Sequence, residues 1–198
     1  MTEVILASAS PTRKALLAAA GVPVTSVAGA FDEQGAKAAL RDQGRTAVEV
    51  ALALAGGKAD AVAAVHTTAL VVGADQMLEC DGRWFDKPAD LAGARQQLAA
   101  LRGRAHRLVT AVVAVGGGRH VWQYVDSATL TMRPFSDGFL DAYLGSVGDA
   151  ALASVGAYQL EGPGAQLFDK VEGDHFSILG LPLLPLLSFL RSYGVVGT

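Results

Sequence analysis

Apolar positions along this chain fall into short runs separated by small, polar or glycine-rich breaks, and two periods alternate. Val4-Ile5-Leu6 is a brief apolar run, β-branched at its start, and reads as a buried strand. Ala7 to Ser10 are small, and Ser10-Pro11 then opens a helix: Ser at the N-cap accepts from an orphan N–H, and Pro at the first helical position has no N–H to leave unpaired. That helix runs through Leu16, Leu17 and Ala20 to Gly21. Val22 to Val27 predicts a second strand, and Asp32-Glu33 falls on a loop. Ala36 to Arg41 and Thr46 to Val65 predict helices. The second carries Val48, Leu52, Ala55, Ala59 and Val62 close to a 3.6-residue period, with a kink at Gly56-Gly57.

Leu70-Val71-Val72 is continuously apolar, as in a strand covered on both faces, and Asp75 follows Gly73 at or past its end. Asp81-Gly82 is a two-residue hairpin signal that returns the chain through Arg83-Trp84-Phe85 to Lys87-Pro88, a register that could bring Lys87 alongside Asp75. A helix from Asp90 to Arg102 closes at Gly103. Arg107 to Val115 and His120 to Met132 form a hairpin across Gly116-Gly117-Gly118, and Ser136 caps a helix to Leu144. A glycine-rich stretch, Gly145 to Gly164, leads to a strand at Leu167 to Val171. Gly180-Leu181-Pro182 precedes a last hydrophobic helix that ends at Tyr193-Gly194.

Composition narrows the classes. A chain of 198 residues, 51% hydrophobic and 18% charged, holds ample core for one domain or two small lobes sharing it. No repeat or linker divides it, so residues 1–198 read as one domain. A net charge of −3 and a pI near 5.8 give no basic footprint for nucleic acid. Cys80 is the single cysteine, which rules out an internal disulfide, and the four histidines show no metal-ligand spacing. The N-terminus lacks the charge order of a signal peptide, and the apolar block Ile178 to Leu190 is broken by Pro182 and Pro185 and too short to span a bilayer. These features predict a soluble, cytoplasmic protein.

The candidate chemistry lies in carboxylates with cations around them. A strand, a small-residue turn and a helix N-terminus make an anion site, since unpaired N–H groups and the positive end of the helix dipole point at the turn. Arg13 sits in that first helical turn, where the dipole disfavours a cation unless an anion is present. Asp75 lies where α/β sheets place catalytic groups. No phosphate-binding lysine loop and no nucleophile elbow occur. Acids with surrounding Lys and Arg suit phosphate chemistry, the acids holding a divalent cation or taking a proton from water.

With these stretches in order, the chain resembles the Maf family of nucleoside triphosphate pyrophosphatases over nearly its whole length. The resemblance is carried by Leu6-Ala7-Ser8-Ala9-Ser10-Pro11-Thr12-Arg13, Asp32-Glu33, Lys58-Ala59, Gly73-Ala74-Asp75, Lys87-Pro88, His106 with Thr110, Thr131-Met132-Arg133, Gly156-Ala157-Tyr158 and Gly180-Leu181-Pro182. It implies a mixed α/β fold, a strongly bent sheet with flanking helices in two lobes around a cleft. It implies hydrolysis of a nucleoside triphosphate between the α- and β-phosphates, with Mg²⁺ or Mn²⁺ as cofactor, and it allows a homodimer. Residue by residue, it makes Asp75 the proton acceptor, Ser8, Ser10, Arg13, Lys58 and Lys87 phosphate-binding groups, and Glu33 with Asp75 the metal carboxylates.

Departures bear on the base. Thr12 stands where the familiar form has the first of two arginines, Gln76 where it has Thr, and Glu161 where it has Gln. The last two match the branch that resembles 7-methyl-GTP pyrophosphatases rather than the dTTP/UTP branch. A carboxylate at Glu161 only accepts hydrogen bonds, so it suits an N–H-rich guanine edge, and its charge favours a cationic 7-methylguanine. Trp84 and Phe85 are candidates to stack on such a base. The alternatives are a dTTP/UTP-preferring enzyme and a nucleotide-binding regulator of septum formation without significant catalysis.

Overall fold

The structure is a computed structural model that describes residues 2–197. In chain order the elements are β1 (Val4–Ala7), α1 (Pro11–Ala19), β2 (Thr25–Ser26), α2 (Glu33–Asp42), α3 (Ala47–Ala63), β3 (Leu70–Cys80), β4 (Arg83–Phe85), α4 (Leu91–Leu101), β5 (Ala105–Gly116), β6 (Arg119–Met132), α5 (Asp137–Val147), three short 3-10 segments, β7 (Phe168–Glu172), α6 (His175–Ile178) and α7 (Leu183–Ser192). The strands form a mixed sheet in the order β2-β1-β3-β5-β6-β7, with β4 on β3. β1 is parallel to β2 and β3; β4 is antiparallel to β3, and β7 to β6. No described helix is long and apolar enough to cross a membrane. The chain divides into two units. One holds the residues up to Gln76, Val109–Asp126 and those from Asp174 onward; the other holds Met77–Leu108 and Ser127–Gly173.

In the first unit the period-2 alternation of β1 and β3 sorts their side chains into two layers. Val4, Leu6, Leu70, Val72 and Ala74 share a core with Leu17 of α1 and Leu183, Leu186 and Leu190 of α7. Ile5 and Val71 alternate with these and are fully buried. Gly73 of β3 meets α3, where a Cβ would run into the Ala55 carbonyl and Ala59. Three expectations are corrected here. Asp75 is not at or past the end of its strand: β3 runs on to Cys80, so Asp75 lies within it. Gly56-Gly57 does not break α3, which is one helix with a Thr46/Glu49 capping box. Those glycines serve close packing, since a Cβ at Gly57 would collide with the Phe31 ring. Asp32-Glu33 is not a loop: Asp32 caps α2 by accepting from Gly35 N at 2.9 Å, and Glu33 opens the helix.

In the second unit the Asp81-Gly82 turn forms as expected, with φ of 51° and 76° at its two residues. Its ladder pairs Cys80 with Arg83, Glu79 with Trp84 and Leu78 with Phe85. β4 stops there, so the strand register does not extend to Lys87. α4 buries Ala94, Leu98 and Leu101, and α5 buries Leu140, Tyr143 and Leu144. His106 of β5 meets the Tyr158 and Phe168 rings; its Nε2 is 2.8 Å from the Tyr158 hydroxyl, and its Nδ1 is buried with no hydrogen-bond partner among the described residues.

Burial pushes the His106 pKa from 6.5 down to about 4. Between these values the unfolded chain binds a proton that the folded one refuses. The stability His106 allows is therefore complete above pH 6.5 and falls as pH drops toward 4, by about 3 kcal/mol over the window. Urea unfolding from pH 7 to 4 is expected to show a shallower acid loss in His106→Leu than in the parent protein. Parallel pH profiles would remove His106 as the cause.

Candidate active site

The predicted residues of the first unit converge through the two faces of β3. Odd positions of the strand face α3, so Asp75 follows Gly73 onto that side. There its Oδ1 meets Lys58 Nζ of α3 at 2.6 Å. Lys58 Nζ also reaches Glu33 Oε2 at 2.7 Å, at the start of α2. Lys58 is therefore not a solvated helix lysine but an ammonium held between two carboxylates. Asp75 is 5% exposed, whereas Glu33 is open to solvent.

Even positions of β3 face the other layer. Gln76 sends its Nε2 to Thr110 Oγ1 at 2.9 Å and to the carbonyls of Ser177 and Ile178 at 3.0 and 3.1 Å. Its amide donors are thus committed to protein acceptors.

Arg13, in the first turn of α1, is not solvated either. Its Nε donates to the Gly180 carbonyl at 2.7 Å, and its Nη1 donates to the Ala74 carbonyl at 3.0 Å and to Ser8 Oγ at 3.3 Å. Burial lowers the Arg13 pKa, while the charges of Asp75 and Glu33 oppose that shift. Three of the five guanidinium N–H donors are fixed by these bonds, and Nη2 makes no hydrogen bond among the described residues. The turn before it is also ordered from within. Ser10 N donates to Ser8 Oγ at 3.2 Å, and Ser10 Oγ caps α1 by accepting from Arg13 N at 3.4 Å. These bonds occupy two of the amides at the mouth of α1. Thr12 is half-buried in the same turn.

Lys87 and Glu161 belong to the second unit, and both are exposed: Lys87 two residues beyond β4, Glu161 in a turn after Tyr158. Of the aromatic candidates, Phe85 is 4% exposed with the Arg83 guanidinium 4.7 Å from its ring centre, so it is a core residue, while Trp84 is half-buried.

Several groups that organise the site were not given roles by sequence reasoning. The Gly180 and Ala74 carbonyls hold Arg13, and Thr110 and Ser177 receive Gln76. Thr110 and Gly180 stood in recognisable motifs, but backbone acceptors have no side-chain signature, and Ser177 had no signal at all.

No group of three or more His, Cys, Asp or Glu side chains suited to a metal occurs among the described residues. Asp75 and Glu33 nonetheless fit a partial site, because each gives one oxygen to Lys58. A hard divalent cation takes one or two carboxylates and completes its shell with phosphate oxygens and water.

A family model described as "Maf-like protein" matches residues 3–193. A nucleoside triphosphate pyrophosphatase of Granulibacter bethesdensis is 51% identical over 191 residues, 96% of this chain and 97% of its own. One of the same name from Paramagnetospirillum magneticum is 55% identical over 190 residues, covering 96% and 98%. A 7-methyl-GTP pyrophosphatase of Rhizobium meliloti is 50% identical over 192 residues, covering 97% and 96%.

Proposed function

The chain belongs to the Maf family, and from that premise we propose that it is a nucleoside triphosphate pyrophosphatase, cleaving between the α- and β-phosphates to release a monophosphate and pyrophosphate in a cytoplasmic house-cleaning role. The observation that carries this reading is the fixed guanidinium of Arg13, with Nη2 unclaimed, under the combined charge of Asp75 and Glu33. An arginine held this way presents two N–H donors as a ready fork for phosphate oxygens. Ser8, Ser10 and Lys58 supply the remaining polar groups beside it. Asp75, held by Lys58, accepts the proton of the water that attacks the α-phosphorus. Asp75 and Glu33 would hold Mg²⁺ or Mn²⁺, which when bound would neutralise phosphate charge.

For the base, the relatives' names support both a general nucleotide and 7-methyl-GTP. Glu161 favours the latter by its chemistry, since an acceptor-only anion suits guanine N–H groups and a cationic ring. Gln76 contributes to this reading only as a branch marker, because its amide donors are taken.

The test is pyrophosphate release from 7-methyl-GTP, GTP, CTP, UTP and dTTP with Mg²⁺ or Mn²⁺. Turnover with 7-methyl-GTP preferred is the expected result. A preference for UTP or dTTP would keep the activity and overturn the base assignment. A folded protein that releases pyrophosphate from none of them would overturn the reading in favour of a nucleotide-binding regulator. On the same panel, Glu161→Gln is expected to shift preference toward UTP and dTTP, and an unchanged ranking would take Glu161 out of the specificity argument.

A further inference from the structure

The guanidinium of Arg13 is aimed by a run of hydrogen bonds that begins in the middle of β5. Thr110 is 1% exposed and lies among Val109, Ala111 and Val112, all buried. A hydroxyl in such a place is costly unless it is bonded. Thr110 Oγ1 donates to the Ser177 carbonyl at 2.9 Å and accepts from Gln76 Nε2 at 2.9 Å. The Ser177 carbonyl also receives Gln76 Nε2 at 3.0 Å and the backbone N–H of Gly180 at 3.0 Å. Ser177 is fixed at its other polar atoms too: its N donates to Asp174 Oδ1 at 2.8 Å and its Oγ to Asp126 Oδ2 at 2.6 Å. Gly180 then takes φ of 100°, a conformation that favours glycine, and its carbonyl accepts Arg13 Nε at 2.7 Å. A Cβ on Gly180 would lie in van der Waals contact with the guanidinium, 3.4 Å from Nε.

We propose that Thr110, together with Gln76, is a positioning residue for Arg13, acting through the Ser177–Gly180 turn to set the plane of the guanidinium that meets the phosphates; this rests on the phosphate-binding role given to Arg13 above. Arg13 has two anchors besides Ser8: the Ala74 carbonyl on β3 and the Gly180 carbonyl on the turn. The first moves with the strand. The second is only as well placed as the turn, and the turn is tied to β3 and β5 by Gln76 and Thr110. A planar fork fixed at Nε and Nη1 leaves Nη2 no freedom of direction, so a shift of the turn tilts the donors that face the substrate. Misplacement of a binding group by about 1 Å lowers rate by about 100-fold.

A double-mutant cycle on kcat/KM tests this, using Thr110→Val, Arg13→Ala and the pair. Thr110→Val is expected to lower kcat/KM by about 10- to 100-fold in the parent protein and to change it less than about twofold in the Arg13→Ala background. Thr110→Ser, which keeps the hydroxyl, is expected to recover most of the loss. Gly180→Ala attacks the same path from its other end, and because Gly180 is buried with φ of 100°, a thermal melt of every variant separates a folding defect from a misplaced guanidinium. Gly180→Ala is expected to show the same loss and the same disappearance in the Arg13→Ala background. Equal losses in both backgrounds, no loss, or no recovery with Thr110→Ser would overturn the proposal. If the parent protein hydrolyses no nucleoside triphosphate, the enzymatic reading has failed. The same cycle is then read on the Kd of inorganic tripolyphosphate, where the same pattern decides the positioning role.

Discussion

Asp75→Asn is expected to lower kcat for pyrophosphate release by about 10²- to 10⁴-fold, the usual contribution of a general base, while leaving the protein folded. The geometry separates the two effects. Asn keeps the shape of the side chain on β3 and still offers an oxygen to Lys58 Nζ, which lies 2.6 Å away in the parent. Lys58 is not stranded by the change, because it retains Glu33 Oε2 at 2.7 Å. What the variant loses is the carboxylate that takes the proton and one of the two negative charges near Arg13. KM is expected to move far less than kcat, since Ser8, Ser10 and Arg13 keep their mutual bonds. Steady-state kinetics with the preferred nucleotide, paired with a thermal melt, measure both. A variant that melts like the parent and retains full turnover would take the proton-accepting role away from Asp75.

The local elements were legible in the sequence where each had its own punctuation. Ser10-Pro11, Asp81-Gly82 and Ser136 mark a cap, a turn and a cap, and each forms as read. Glycine was the misleading signal. At Gly56-Gly57 it was read as a kink, but it serves the close approach of α3 to its neighbours, Phe31 among them, a tertiary demand that a local pattern does not display. Asp32 was overlooked as a cap because Gly35 inside the first turn weakened the helical pattern after it. The site was legible as a set of residue types and not as an assembly. Lys58 and Asp75 are 17 residues apart and meet because β3 continues past Gly73, so the alternation of the strand turns Asp75 toward α3 and Gln76 away from it. Arg13 and Gly180 are separated by 167 positions and meet through a backbone carbonyl, which no side-chain motif encodes.

Lys58→Met is expected to destabilise the first unit by about 3 kcal/mol, because removing one partner of a buried ion pair leaves the other charge uncompensated. Met matches the unbranched stem of Lys, so the loss isolates the ammonium. Without it, Asp75, whose side chain is 7% exposed, has no cation directly upon it, and Glu33 stands nearby with the same sign. Glu33 contributes little to the cost because its side chain is 49% exposed and solvated. The burden falls on Asp75, and the cure follows from that: Lys58→Met combined with Asp75→Asn is expected to recover most of the stability, since the uncompensated charge is gone. Urea unfolding at pH 7 on the parent, the two single variants and the pair gives the coupling directly. A large favourable coupling means that Lys58, inside α3, serves to hold the buried carboxylate of Asp75 on β3. Additive losses, or a single-variant cost below about 1 kcal/mol, the range of an exposed pair, would mean that solvent and not Lys58 holds the Asp75 charge, and the division of labour between these two residues would have to be redrawn.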